Sequence, residues 1–409
     1  MCALVSSVLY WGQVITQFSR ESAATNGSVN RQAARSRPAQ GIERFMNVEH
    51  SQQKRNRILT LIINLVGILA FALILYLGGV KVWRQIAQCD LRYVLAGLVA
   101  TLVWNLIAAY RWFLIACAVT EGNPGPRYRY YFTYHMLGMA TGQLVPISVG
   151  MLGGRPMALS LSGMVPLRRA VLSVVLDKFF DLILALLLLV PVACYLVDWI
   201  SLPLTFGLMA AIVIVAAVFI GWQYEGMMRW LARVALYLSR PLVRVPFVGR
   251  RLMSRLPQQL ERLANETFVT NRRAVQLFGL TLVLYTLLSV RLVLIALALR
   301  LDVPWYLLVM GVAVTQFTLI FSFTPGSLGV LEGGWAAVFG LGGQMAAYTV
   351  FVIGRRAFVL IYTLLCTLLA FAWIRESPAR LFRSVLSASA SRQPAAEEAQ
   401  NVNPNVTVK

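Results

Sequence analysis

Three carboxylates stand inside long apolar runs of this chain: Asp177, Asp181 and Glu332. A charge held in hydrocarbon costs about 2.5–3.5 kcal/mol on insertion scales, so each must face a cavity or a partner. Asp177 and Asp181 are four residues apart and share one face of a helix, with Lys178 beside them. Such a cluster suits two tasks. It can fasten helices through ion pairs to Arg111, Arg168 or Arg169, or it can recognise a cationic group and relay protons. Glu332 has the same two uses, with Arg291 or Arg356 as its partner. Arg111 and Arg291 each carry a planar fork that can hold a phosphate bidentately, or reach the interface on a long stem.

Two proline breaks add a second kind of chemistry. Pro146–Gly154 and Pro325–Gly333 both read P-x-S-x-G-x-L-x-G. A break of this kind restarts a helix with its first amides unpaired, and those amides attract an anion with the help of the helix dipole. Proline suits the first turn, where its missing donor is not needed. Ser148 and Ser327 can cap the amides or touch a ligand. Gly150, Gly154, Gly329 and Gly333, with Gly138-x-x-x-Gly142, leave room for close helix packing. Gly326 follows Pro325 at the second break, and Arg155 closes the first. These residues, with the acidic cluster and its arginines, form the candidate binding set. His135 has no spaced partner and reads as a packed histidine rather than a metal ligand. The sequence holds no nucleotide-binding loop, HExxH or G-x-S-x-G, so no catalytic residue, metal or cofactor is assigned.

The elements that must position these groups are membrane helices. Of 409 residues, 58% are hydrophobic and 13% charged, against about half and a quarter in soluble domains. Six runs reach the roughly 20 residues needed to cross a bilayer: Ile58–Val80, Leu91–Val119, Ala170–Val197, Leu202–Trp222, Ala274–Leu299 and Ala357–Ile374. The net charge is +21, and all but four of the 37 basic residues are arginine. They cluster at the ends of the apolar runs, which fits an anionic membrane face and not nucleic acid. The five cysteines are scattered, without metal spacing or a disulfide framework.

Basic residues mark cytoplasmic loops. Lys54, Arg55 and Arg57 put the start of the first span inside. The ten arginines between Glu225 and Arg273 also lie inside, on a basic amphipathic stretch around Trp230, Leu231, Val234 and Tyr237. Arg375, Arg380 and Arg383 put the carboxyl terminus inside. Tyr130–Gly154 is too short for two spans, and as one span it would turn the ten-arginine loop outward. It therefore reads as a re-entrant hairpin broken at Pro146. The stretch 305–353, broken at Pro325-Gly326, plays the same part from the other face, as a hairpin or as two full spans. Lys81, Arg84, Arg92, Arg355 and Arg356 then fall near the outer face.

The two breaks lie 179 residues apart, and Arg111-x-x-Leu-Ile-Ala pairs with Arg291-x-x-Leu-Ile-Ala at 180. The fold class is thus an all-α polytopic membrane protein. It comprises two inverted repeats of span-span-hairpin-span (about 58–197 and 202–374), an insert at 225–273, a poorly ordered lead-in at 1–57 and a disordered tail at 375–409. Met46 is an alternative start. Inverted repeats with broken helices are a recurrent transporter architecture.

The segment Thr324–Glu332 resembles the P-G-x-[IL]-G-x-x-E signature of the lysylphosphatidylglycerol synthase transmembrane region, a flippase-like integral membrane family. Gly142–Arg155, followed by Asp177-Lys178 and Asp181, is similar to that family's first signature and departs from it at Met151, where an acidic residue is usual. The resemblance covers about 58–374 and implies the lipid-handling half of such a synthase without its soluble domain. On this reading the protein is a lipid transporter of the plasma (inner) membrane, with both termini cytoplasmic. It would bind an anionic phospholipid or polyprenyl phosphate between two inverted hairpins. The alternatives are an intramembrane enzyme on a lipid-linked substrate, or a scaffold for an envelope-lipid enzyme; a second copy of the chain is a further partner.

Overall fold

Long apolar segments become helices because only a helix pairs every backbone group within the segment itself. In the computed structural model the described residues are 76, 82, 84–120, 126–144, 150–161, 165–243, 269–319, 324 and 326–374. Among them every regular element is helical. Five helices are long and apolar enough to cross a membrane: α1 (Leu91–Val119), α4 (Leu167–Leu196), α5 (Leu202–Val243), α6 (Asn271–Ala298) and α9 (Met345–Ile374). Asp90 caps α1 by accepting from the Arg92 amide, and Thr270 caps α6 by accepting from Arg273. The sixth expected span, Ile58–Val80, lies outside the described residues except for Tyr76. The lead-in 1–57, the tail 375–409 and residues 244–268 of the insert lie outside them too.

Shorter helices fill the two interrupted regions. The first holds α2 (Tyr128–Leu144), a π-turn at Gly150–Gly154 and α3 (Arg155–Leu161); the second holds α7 (Trp305–Thr318) and α8 (Val330–Leu341). At 1.5 Å per residue, α7 and α8 are about 21 and 18 Å long, against a hydrocarbon core of about 30 Å. Neither is a full span. The last long helix also begins at Met345 rather than Ala357, so the second interrupted region ends at Leu341 and not at Ile353. The backbone of α5 runs past a kink at Gln223 to Val243, joining the fourth expected span and the start of the insert in one bent helix.

Contacts sort the helix ends into two groups. At one end the Asp90 amide donates to Ala298, Tyr195 meets Tyr306, and Phe206 meets Trp305. At the other end Tyr128 meets Trp373, and Asn271 donates to the Trp222 carbonyl. The residues that follow the interrupted regions pack near where those regions begin. Val165, after the first, packs in one cluster with Trp112 and Tyr131. Gly342, after the second, lies against Leu307. The inner ends of the two regions meet: the Gly326 amide donates to the Gly142 carbonyl at 3.0 Å.

Outward faces are apolar, as a bilayer requires. Val190, Ile214, Val215, Val218 and Leu364 are all exposed. Inside, Trp335 is fully buried against Phe339 and Phe351 and ties α8 to α9.

Gly150 is required by close approach. A Cβ on Gly150 would lie 2.6 Å from the Gly142 nitrogen and 2.8 Å from the Gly138 carbonyl. This is the packing expected of Gly138-x-x-x-Gly142. The same expectation does not hold for Gly333, which has nothing within 4 Å, or for Gly154, whose nearest neighbour is Thr141 Oγ1 at 3.8 Å. Backbone cannot rotate away as a side chain can, so Gly150→Ala is expected to cost about 1–3 kcal/mol. Gly333→Ala is expected to stay within about 0.5 kcal/mol of wild type. Thermal midpoints of the purified protein in detergent check both, and equal midpoints would refute the contact.

Candidate functional site

The acidic cluster on α4 is the centre of a buried network. Asp177 Oδ1 accepts from Arg111 Nε at 2.8 Å, and Oδ2 accepts from Arg155 Nη1 at 3.0 Å. Asp181 Oδ1 accepts from Arg111 Nη1 at 2.7 Å, and Oδ2 from Lys178 Nζ at 2.9 Å. Arg111 Nη1 also donates to Thr281 Oγ1, and Nη2 to the Asp177 carbonyl. The guanidinium of Arg155 lies over the Trp112 ring at 5.2 Å. Arg111, Arg155 and Asp177 are each 1% exposed, so these charges are held by one another and not by water. The fastening role therefore holds for Arg111, and Arg155 is a second cation on Asp177.

Glu332 is committed in the same way. Its Oε1 accepts from Arg356 Nε at 2.7 Å, and its Oε2 accepts from the Gly329 amide at 2.7 Å. Of the two partners expected for it, Arg356 is the one present. Arg356 Nη1 also donates to the Gly326 carbonyl. The turn carrying these groups has Gly326, Ser327 and Gly329 at positive φ, with Gly329 as the cap of α8. The anion at the start of α8 is thus the protein's own carboxylate. Pro325 lies outside the described residues, as do Pro146 and Ser148, so no position is given to the first serine.

Between these groups lies a cavity of about 350 Å³. Of the candidate residues, Arg111, Arg155, Asp177, Lys178, Asp181, Arg291, Gly326, Ser327 and Arg356 line it, whereas Gly150, Gly329 and Glu332 stand behind its wall. On α4 the lining reaches the outside, where Val175 is exposed and Lys178 is 38% exposed. Sequence reasoning missed part of the lining. Arg355, assigned with Arg356 to the outer face, faces the cavity. Asn105 donates to the Thr101 carbonyl, and its Oδ1 lies 3.0 Å from His135 Nε2. That polar pair, four residues apart in an apolar run, was the available signal. His135 is packed as expected, yet it also lines the cavity.

The donors here outnumber the acceptors. Arg155 Nε, Arg291 Nε and Arg355 Nε are buried nitrogens without a hydrogen-bond partner among the described residues. Arg291 is 9% exposed and lies 5.7 Å over the Trp104 ring. No ion pair to Arg291 or Arg355 occurs among the described residues.

The sealed cluster generates a prediction. Removing one partner of a buried ion pair typically costs about 3–5 kcal/mol, because the other charge stays buried. Asp177→Asn strands Arg155 and takes one of the two carboxylates of Arg111, and is expected to fall in that range. Asp181→Asn is expected to cost less, since Arg111 keeps Asp177 and Lys178 is only partly buried. Adding Arg155→Gln to Asp177→Asn should recover part of the loss. Denaturant titration in detergent checks all three; additive losses would show that the pair is not coupled.

The family model described as Lysylphosphatidylglycerol synthase TM region matches residues 61–367. No curated protein and no solved structure matches the chain. The family match takes in the helices and the cavity described above, with five helices able to cross a membrane. This integral membrane protein therefore belongs to the lysylphosphatidylglycerol synthase transmembrane-region family.

Proposed function

We propose that the cavity takes the anionic headgroup of a membrane lipid, and that the protein passes this lipid between leaflets. Arg291 carries the reading. It is 9% exposed, lines the cavity and has no carboxylate partner among the described residues. An unpaired charge at bilayer depth is costly and marks a substrate path. Arg291, Arg356, Gly326 and Ser327 form the headgroup contact, with Ser148 and Pro325 at the two breaks. Arg111, Arg155, Asp177 and Asp181 are the frame that holds the cavity open. The exposed Val175 and the partly exposed Lys178 give the acyl chains an exit between helices.

In this reading the interrupted regions are re-entrant hairpins from opposite leaflets, arranged as inverted repeats. Both termini and the arginine-rich insert face the cytoplasm of the plasma (inner) membrane. The grouping of helix ends and the positive-inside rule support that arrangement.

Two measurements test it. Proteoliposomes with a fluorescent anionic lipid in one leaflet report transfer. Arg291→Ala is expected to slow transfer at least tenfold while keeping the wild-type thermal midpoint, since no ion pair is lost. Wild-type transfer in that variant would discard the site. For topology, Arg127→Cys and Pro166→Cys flank the first hairpin at exposed positions, and Asp302→Cys lies at an exposed position before α7. The first two are expected to label from one side and the third from the other. Labelling of the first two from opposite sides would make that region a span.

A further inference from the structure

The charges around the cavity can be paired off, and what remains describes the ligand. Arg111, Arg155 and Arg356 face Asp177, Asp181 and Glu332, three cations against three carboxylates. Every oxygen of those carboxylates already accepts from a guanidinium, from Lys178 or from the Gly329 amide. Lys178, 38% exposed at the mouth, already commits its ammonium to Asp181 Oδ2 at 2.9 Å. Among the described residues two guanidinium groups are left over, those of Arg291 on α6 and Arg355 on α9. Both line the cavity, and both have a buried Nε without an acceptor. Arg355 lies within electrostatic reach of Arg291 and Arg356, so the surplus is concentrated rather than spread.

The geometry points to a ligand that brings two negative charges to one place and no positive charge: a lipid ending in a phosphate monoester, read by Arg291 and Arg355. This rests on the headgroup reading above and narrows it. A phosphodiester brings one negative charge and would leave one guanidinium stranded at depth. A phosphate monoester near pH 8 is a dianion, its second pKa being about 6, and three terminal oxygens can accept from two planar forks. A headgroup carrying an ammonium or an aminoacyl amine finds no acceptor, because the carboxylates that would receive it are already bonded. The cavity on these grounds selects against cationic and zwitterionic lipids.

The test is native mass spectrometry of the full chain in detergent at pH 8, with lipids matched in acyl chains. Phosphatidic acid and a polyprenyl phosphate are expected to be retained at least tenfold better than phosphatidylglycerol and phosphatidylethanolamine. Arg291→Gln and Arg355→Gln are each expected to reduce that preference at least fivefold, while Arg84→Gln, an exposed arginine away from the cavity, keeps it. Equal retention of phosphatidic acid and phosphatidylglycerol would overturn the dianion inference and leave the anionic-lipid reading standing. Preferential retention of an aminoacylated or zwitterionic lipid, or of none, would overturn both. Displacement of phosphatidic acid by glycerol 3-phosphate at equal concentration would keep the dianion and overturn the lipid. The comparison of lipids on wild-type protein decides the matter even where a variant fails to fold.

Discussion

Everything in this fold answers to one constraint: a charge buried among apolar helices must be neutralised by something equally buried. Asp177 meets it by standing between Arg111 and Arg155. Those three residues come from α4, α1 and the start of α3, so one carboxylate ties two membrane helices to the first interrupted region. Arg111 extends the tie to α6 through Thr281. A buried ion pair is weak evidence of stability, since well-packed apolar groups of the same volume often do as well. What the pair supplies here is position. It holds polar walls apart around open space that apolar side chains would otherwise fill.

Packing of the interrupted regions depends on close approach without side chains. Gly150 sits against the backbone of Gly138 and Gly142, and the Gly326 amide reaches the Gly142 carbonyl. Irregular backbone at such depth is tolerated only where its polar groups are paired or line a cavity. The turn before α8 obeys this rule. The Gly329 amide is covered by Glu332, and the Gly326 carbonyl by Arg356. Breaks in the helices and the charged residues near them are therefore one device, in which each makes the other affordable.

Much of this was legible in the sequence, for physical reasons that can be named. Apolar run length identified five of the described long helices, because a bilayer sets that length and little else does. The four-residue spacing of Asp177 and Asp181 put them on one face, and the repeated P-x-S-x-G located the turn at 326–329. The family resemblance rested on these same residues. What stayed hidden depended on contacts between distant segments. Nothing in the sequence singles out Arg155 as a partner of Asp177. The positive-inside count placed Arg355 and Arg356 near the outer face, a statement about depth that does not say whether they line a cavity. Arg356 is 8% exposed, and the rule has no term for an arginine that a helix carries into a cavity.

The same contrast bears on how the protein can tell one anion from another. Sequence reasoning assigned anion binding to the freed amides of the restarted helices. At α8 that site is taken by Glu332 from the first turn of the same helix. A helix N-terminus attracts negative charge with only modest strength, about 0.3–1 kcal/mol for an exposed site, and it is indifferent to the shape of the anion. A guanidinium fork is not, since its donors lie in one plane at fixed spacing. Satisfying the backbone internally and leaving arginine nitrogens open moves recognition from a diffuse field to directed donors. Under the proposed function that shift is the physical basis for discrimination among lipid headgroups of similar size, and the proposal puts the discrimination on α6 and α9 rather than on the breaks that first drew attention.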